Sequence, residues 1–143
     1  METLSNDFFK STITQFIKEF HPDLALKGKD YIENEINLRS SQAYESFEES
    51  RKDGLDVNSS LEIAFEVLKQ GLLFSKYQHV KSLMISYFFD YLELQSEEDQ
   101  NNFILNITIK ASDVFERYVS SDVFHHSDKM DLEVIRIIQS SIR

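Results

Sequence analysis

Hydrophobic residues recur along most of the chain at the spacing of amphipathic helices. Near the N-terminus, mainly apolar positions fall at intervals that place them on one side of a helix. These positions are Phe8, Phe9, Thr12, Ile13, Phe16, Ile17 and Phe20. His21-Pro22 should end this helix, because the residue before a proline is disfavoured in the helical region. Similar spacing in the later segments predicts five or six helices in all.

Residues with strong capping preferences separate these helical segments. The expected N-caps are Ser5 or Asn6, Asp30, Ser59, Ser75, Ser96 and Ser127. Ser59 precedes Glu62 by three residues, which is the spacing of a capping box. Gly54 should end the second helix in a left-handed conformation. Because the connections are mostly short, we expect an all-α fold, a single-domain antiparallel bundle over residues 1–143.

Two of the predicted helices contain unusual runs of residues, one β-branched and one aromatic. Residues 103–109 are rich in β-branched side chains and fit a strand, but the helical spacing continues beyond them, so we predict a helix. The predicted fourth helix contains Tyr87, Phe88 and Phe89 in succession. Three consecutive side chains spread over roughly 200° of a helix, so one ring should point toward another helix or another chain.

Composition excludes several classes of protein. The chain has 143 residues, a net charge of −10 and no cysteine. It is long enough to bury a core without metal or disulfide bonds, and cysteine chemistry is excluded. Its acidity disfavours nucleic acid as a partner, because the phosphate backbone is also negatively charged. Neither a signal-peptide pattern nor an apolar run of about 20 residues is present, so we expect a cytoplasmic protein without a membrane partner.

One stretch resembles a known family signature. Residues 62–77 read EIAFEVLKQGLLFSKY. This stretch resembles the signature Glu-x-Ala-x-x-Val-Leu-x-x-Gly-Leu-x-x-Ser-x-Tyr of a family of uncharacterised small helical proteins from Bacteroides-like anaerobes. Residues 21–25, HPDLA, also resemble that family, and the similarity covers residues 8–89. The resemblance implies an all-helical fold and a conjugative-transposon-like context, and it transfers no catalytic residue.

The turn around Gly71 supplies a candidate interaction surface, on which basic and aromatic residues alternate. Its members are Lys69, Gly71, Ser75, Lys76, Tyr77, His79, Lys81 and Phe89. The basic side chains could meet an acidic partner or a phosphate, with Tyr77 as an aromatic contact. In the structural alternative, Gly71 ends or packs a helix, Ser75 is a cap and Tyr77 is a core residue. The structural alternative is favoured, because a few basic residues are weak beside the net charge of −10.

His125 and His126 form the cluster with metal-ligand chemistry, flanked by Asp122 and Asp128. Adjacent side chains diverge on a helix or strand, so the two histidines are weak metal candidates and a solvated loop is the better interpretation. The glutamate runs are typical of solvated helix faces, and no catalytic or nucleotide-binding motif is recognisable. We therefore expect no cofactor, no metal and no enzymatic activity.

The preferred hypothesis is a non-enzymatic helical protein-interaction or regulatory module, with an unidentified protein partner and with self-association as a further expectation. The alternative is an acidic nucleic-acid-mimicking or anti-repressor factor of a mobile element, because residues 31–56 and 83–100 carry −4 and −5 of the net charge. Direct nucleic-acid binding through Lys69, Lys76 and Lys81 is the third and weakest hypothesis.

Overall fold

The computed structural model describes residues 5–119 and 127–142, and helices make up most of both ranges. The elements are α1 (Asn6–Phe20), a 3-10 helix (Pro22–Lys27), α2 (Lys29–Lys52), α3 (Val57–Leu68), α4 (Lys76–Tyr87), α5 (Phe89–Glu93), α6 (Glu97–Lys110), α7 (Ser112–Tyr118) and α8 (Asp128–Ile142). Neither of these ranges contains a β-strand. The predicted all-α fold is confirmed, including the helix over residues 103–109.

The described residues group into two compact units. The first comprises residues 5–19 and 24–73, and the second comprises residues 20–23, 74–119 and 127–142. The expectation of a single domain stays a prediction.

The first unit is built around α1, α2 and α3. Phe9 and Ile13 of α1 are fully buried, at positions that the N-terminal apolar stripe predicts. They join one core cluster with buried residues of α2, of α3 and of the turn after α3, namely Ala43, Phe47, Ala64, Leu68 and Leu72. Phe9 packs edge-on against Phe65, with ring centroids 6.2 Å apart. An amphipathic face on each helix thus supplies the apolar area that stabilises this unit.

The second unit is built around α4, α6, α7 and α8, with the short helix α5 attached to α4. Its buried core residues are Tyr77, Val80, Leu83, Met84, Leu92, Ile104, Ile107, Ala111, Val114, Phe115, Met130, Val134 and Ile138. On α8 the buried positions are spaced by four residues, as one face of a helix requires. Met130, Val134 and Ile138 are fully buried.

Three predicted N-caps have the expected hydrogen bonds. The Ser75 hydroxyl accepts from the backbone N–H of Gln78 at 3.0 Å, and the Ser96 hydroxyl accepts from Asp99 at 3.1 Å. Ser127 accepts from the N–H of Met130 at 3.3 Å. Each bond satisfies one of the N–H groups that a helix start leaves without an intrahelical partner.

Two predicted N-caps are wrong. The cap of α2 is Gly28 rather than Asp30, because the chain enters this helix through a positive φ of 108°, which glycine tolerates. Asp30 instead lies in the first turn, where its charge suits the helix dipole. The cap of α3 is Asp56 rather than Ser59. The Asp56 carboxylate accepts from the backbone N–H of Ser59 at 2.7 Å, so the helix starts earlier than the capping box predicts.

Two predicted helices, the fourth and the one that includes residues 103–109, are each divided into two. Phe88 interrupts the fourth with φ −133° and ψ 30°, which separates α4 from α5. Ala111 separates α6 from α7 in the same way, with φ −89° and ψ 4°. The described residues therefore contain more helices than the five or six expected, because continuous apolar spacing does not reveal such breaks.

Candidate functional site

The predicted interaction surface is divided between the two units. Lys69 and Gly71 belong to the first unit. Its other members belong to the second unit, namely Ser75, Lys76, Tyr77, His79, Lys81 and Phe89. The two groups are therefore described separately.

In the first unit, Lys69 and Gly71 lie directly after the end of α3. The Lys69 ammonium lies 4.8 Å from the ring centroid of Phe16 and 5.7 Å from that of Phe65, so it makes cation–π contacts within the unit. Gly71 has φ 80°, a left-handed value that favours glycine. A Cβ placed there would have ordinary space, with Arg39 Nη2 at 3.9 Å. Backbone conformation therefore accounts for this glycine.

Arg39, which sequence reasoning did not single out, binds the same turn. Its Nη1 atom donates to the carbonyl oxygens of Leu68 at 3.1 Å and Gln70 at 2.6 Å. Its Nε atom lies 2.9 Å from a carboxylate oxygen of Glu35, one helical turn earlier. Carbonyl groups at a helix end lack intrahelical partners, and the guanidinium supplies donors to them. The i, i+4 spacing of Glu35 and Arg39 is visible in the sequence, but the carbonyl contacts are not.

In the second unit, Ser75 and Tyr77 have structural contacts. Besides accepting from Gln78, the Ser75 hydroxyl donates to the carbonyl oxygen of Phe20. The Tyr77 ring is buried, and its hydroxyl donates to Oδ1 of Asn101 at 3.2 Å. Burial raises the pKa of Tyr77. This residue therefore packs as a neutral core aromatic rather than as an exposed contact.

His79 also faces the interior of the second unit. Its Nε2 atom lies 2.7 Å from Oδ1 of Asp131 on α8, and both side chains are mostly buried. The imidazole ring contacts Phe74 and Phe115, with centroid distances of 5.6 and 6.0 Å. This arrangement fixes the orientation of His79 and connects α4 to α8. The neighbouring Lys76 and Lys81 are half-buried.

A second polar contact connects α7 and α8. Glu133 accepts from the Tyr118 hydroxyl at 2.7 Å and pairs with Arg117 at 2.8 Å. The hydrogen bond from Tyr118, followed by that from Arg117, lowers the pKa of Glu133. The same bond to Glu133 raises the pKa of Tyr118. Glu133 thus accepts hydrogen bonds from two side chains of α7, which is typical of a structural contact.

Phe89 lies in an open cleft formed where α4 ends and α5 begins, together with the last turn of α8, and we call this the aromatic cleft. It has a volume of about 630 Å³. Its lining residues are Ser86, Tyr87, Phe88, Phe89, Asp90, Tyr91, Gln139 and Ile142. Tyr87 is 66% exposed and Phe89 is 55% exposed. Two of the aromatic side chains that line this concave surface are thus exposed to solvent.

The helix break at Phe88 positions these rings. Phe88 and Tyr91 pack against the core of the second unit, and Leu92 is buried in it. The break lets these residues pack inward while Tyr87 and Phe89 stay exposed on either side of Phe88. The aromatic surplus in the sequence predicts that a ring points outward. It does not predict that Gln139 and Ile142, about 50 residues later, complete the cleft, because no local pattern connects them.

No metal cluster occurs in the described ranges 5–119 and 127–142. His125 and His126, the weak metal candidates, lie outside the described residues. Within the described part of the chain, no helix is both long and apolar enough to cross a membrane.

The fold and cleft define a small all-α protein with a solvent-exposed aromatic surface. A family model described as "Domain of unknown function (DUF1896)" matches residues 2–138. The chain belongs to this DUF1896 family. This membership and the structural similarity below agree with the resemblance to an uncharacterised helical family.

A solved structure has a similar fold. The crystal structure of protein PG0816 from Porphyromonas gingivalis matches 96% of this chain and 90% of its own, with a TM-score of 0.77. The two sequences are 23% identical, so the similarity supports the fold alone. No match was found among proteins with curated descriptions.

Proposed function

We propose that this protein is a non-enzymatic protein-interaction module that binds a partner protein at the aromatic cleft. The observation that carries the proposal is the exposure of Tyr87 and Phe89, which line the same cleft. Tyrosine is among the residues that most often dominate binding energy at protein interfaces, and aromatic residues are enriched there.

The position of these two rings supports a binding role. Both line the same open, concave surface, so one partner segment can contact the two rings together. Binding sites concentrate in such concavities. By contrast, isolated exposed aliphatic residues such as Leu26 and Leu38 are normal on protein surfaces.

The proposal is tested by comparing two double variants as affinity baits. Tyr87→Ser/Phe89→Ser removes both rings from the cleft, whereas Leu26→Ser/Leu38→Ser removes exposed apolar side chains elsewhere. Proteins retained from a lysate of the native host are identified by mass spectrometry. A candidate is then purified, and its affinity for the wild-type chain and for each variant is measured by calorimetry.

We expect a purified partner to bind the wild-type chain and the Leu26/Leu38 variant with equal affinity. Loss of both rings should weaken that binding by at least about 2 kcal/mol, the scale of an interface hot spot. Equal binding by all three proteins would contradict the proposal. Circular dichroism of each variant checks that its helix content is unchanged.

A second candidate function is mimicry of nucleic acid by acidic surfaces. Exposed carboxylates on α2 include Glu33, Glu45 and Glu49, and Glu97 and Glu98 are exposed at the start of α6. Binding of a basic protein to such surfaces should weaken steeply as salt rises. The Debye length shortens roughly threefold between 50 and 500 mM salt. Partner binding that does not change over this range would argue against this candidate.

Other expectations from the sequence stay predictions. These are a cytoplasmic location, a mobile-element context, self-association, and the absence of direct nucleic-acid binding. Light scattering at micromolar concentration measures the self-association directly.

A further inference from the structure

The chemistry of the aromatic cleft indicates what kind of group enters it. Four of its lining residues are aromatic, namely Tyr87, Phe88, Phe89 and Tyr91. Asp90 is the one charged residue among the described residues that line it. Aromatic faces carry negative electrostatic potential and attract cations, and a carboxylate adds a full negative charge. The lining therefore favours a positively charged group that also has a flat or apolar surface.

Asp90 is available for such a group. Its side chain is exposed, and among residues 5–119 and 127–142 the carboxylates seen in ion pairs, such as Glu35, Asp131 and Glu133, are other ones. The lining residues that the structure describes include no lysine or arginine. An incoming cation would thus meet a carboxylate that forms no ion pair within the described chain.

Other ligand classes fit the cleft less well. A divalent metal ion requires several oxygen ligands, and the cleft offers one carboxylate. The cleft opens broadly to solvent, so a small apolar molecule could not bury most of its surface there. Arginine combines a planar guanidinium, which stacks on aromatic rings, with donors that pair with a carboxylate.

A second copy of this chain is also disfavoured as the occupant. In a two-fold symmetric dimer through this face, the same surface meets itself and places both Asp90 carboxylates in one interface. Each chain also carries a net charge of −10. Because like charges repel, the cleft is better matched by a basic partner.

We propose that the aromatic cleft binds an arginine side chain from a basic segment of the partner protein. This inference rests on the proposed interaction function and deepens it. Tyr87 and Phe89 supply aromatic surface to the guanidinium, and Asp90 supplies the counter-charge. The partner segment is thus distinguished by arginine rather than by apolar residues alone.

The test uses the full-length, isotope-labelled protein and small probes followed by NMR. The main probe is N-acetylarginine amide, and its neutral counterpart is N-acetylcitrulline amide, which has nearly the same shape. We expect the arginine probe to shift the backbone amides of Tyr87, Phe89 and Asp90 in a saturable way, with a dissociation constant in the millimolar range. The citrulline probe should bind about threefold more weakly or worse, and N-acetyllysine amide should also bind more weakly than arginine.

Two variants test whether the Asp90 carboxylate contributes to binding of the arginine probe. Asp90→Asn should reduce the affinity for the arginine probe about threefold, to that of citrulline, and leave citrulline binding unchanged. Glu116→Gln removes one exposed carboxylate from α7 of the same unit, outside the cleft, and should leave both affinities unchanged. Equal binding of arginine and citrulline, tighter binding of lysine, shifts confined to other regions, or equal effects of the two variants would each overturn the inference.

The outcomes separate this inference from the proposed function. A purified partner that requires Tyr87 and Phe89 but binds Asp90→Asn as tightly as the wild type would overturn the arginine assignment and leave the interaction function standing. Arginine-probe binding together with equal partner binding by the Tyr87→Ser/Phe89→Ser variant would contradict the interaction function instead. Dimerisation that is lost in that double variant would assign the cleft to a second copy and overturn the arginine proposal.

Discussion

The Nη1 atom of Arg39 lies 2.6 Å from the carbonyl oxygen of Gln70. This hydrogen bond connects the middle of α2 to the turn that follows α3, across 31 residues of sequence. The same atom also donates to Leu68. Charged hydrogen bonds of this kind are stronger than neutral ones, so Arg39 is a principal polar contact of the first unit.

Replacement of Arg39 by methionine should therefore destabilise the protein. The variant keeps an apolar stem but leaves the carbonyl groups of Leu68 and Gln70 without this donor. We expect the free energy of unfolding in urea to fall by about 1–3 kcal/mol. Lys52→Met removes a positive charge from an exposed position of α2 and should change it by less than about 0.5 kcal/mol. Equal effects of the two substitutions would show that the carbonyl contacts contribute nothing.

Substitution of Gly71 tests whether the backbone conformation of its turn requires glycine. Because Gly71 has φ 80°, Gly71→Ala should cost about 1–2 kcal/mol in unfolding free energy, although space for a Cβ is available. Gly71→Asn should cost less, since asparagine tolerates left-handed backbone better than alanine does. Urea denaturation of the two variants gives the comparison. An alanine variant as stable as the wild type would mean that the backbone conformation does not require glycine.

The sequence predicts the buried faces of the helices better than it predicts their ends. Phe9 and Ile13 are fully buried where the apolar spacing places them, because burial of one face determines that spacing. The starts of α2 and α3 are predicted wrongly. At both sites several residues with similar capping preference lie close together, and the surrounding turn decides among them.

The candidate site is less predictable than the fold. The run of aromatic residues through Phe89 indicates an outward-facing ring, and the structure shows two such rings. The break at Phe88 and the contribution of Gln139 and Ile142 from α8 depend on tertiary packing. Sequence spacing carries no information about contacts of that kind.

The carboxylate of Asp56 should make part of the stability dependent on pH. The backbone N–H of Ser59, followed by its side chain, lowers the pKa of Asp56 below its ordinary value of 3.8. A lowered folded-state pKa means that this stabilisation is fully present above the unfolded-state pKa. It is lost as the pH falls through the folded-state pKa. Between pH 7 and pH 3, the wild type should therefore lose stability that depends on Asp56.

Asp56→Asn tests this dependence, because asparagine is also a good N-cap but does not titrate. We expect the urea midpoint of this variant to fall less than that of the wild type between pH 7 and pH 3. Asp53→Asn, at the end of α2, removes an exposed carboxylate and serves as the matched control. If Asp53→Asn reduced the pH dependence as much as Asp56→Asn, the cap would not be its source.

The single-domain expectation predicts one cooperative unfolding transition. A chain of 143 residues is within the usual size of one domain, although its contacts group into two units. Calorimetry should give a calorimetric enthalpy equal to the van't Hoff enthalpy. Two resolved transitions, each with its own midpoint, would instead identify the units as separate domains.

Site-specific photocrosslinking tests the central claim, partner binding at the aromatic cleft, most directly. The full-length protein carries benzoylphenylalanine in place of Phe89, which is 55% exposed in the cleft, or in place of Leu38, which is 56% exposed on α2. Each protein is irradiated in a lysate of the native host. The account predicts one discrete crosslinked partner from position 89 and none from position 38. The absence of a crosslink at position 89, or the same products from both positions, would contradict it.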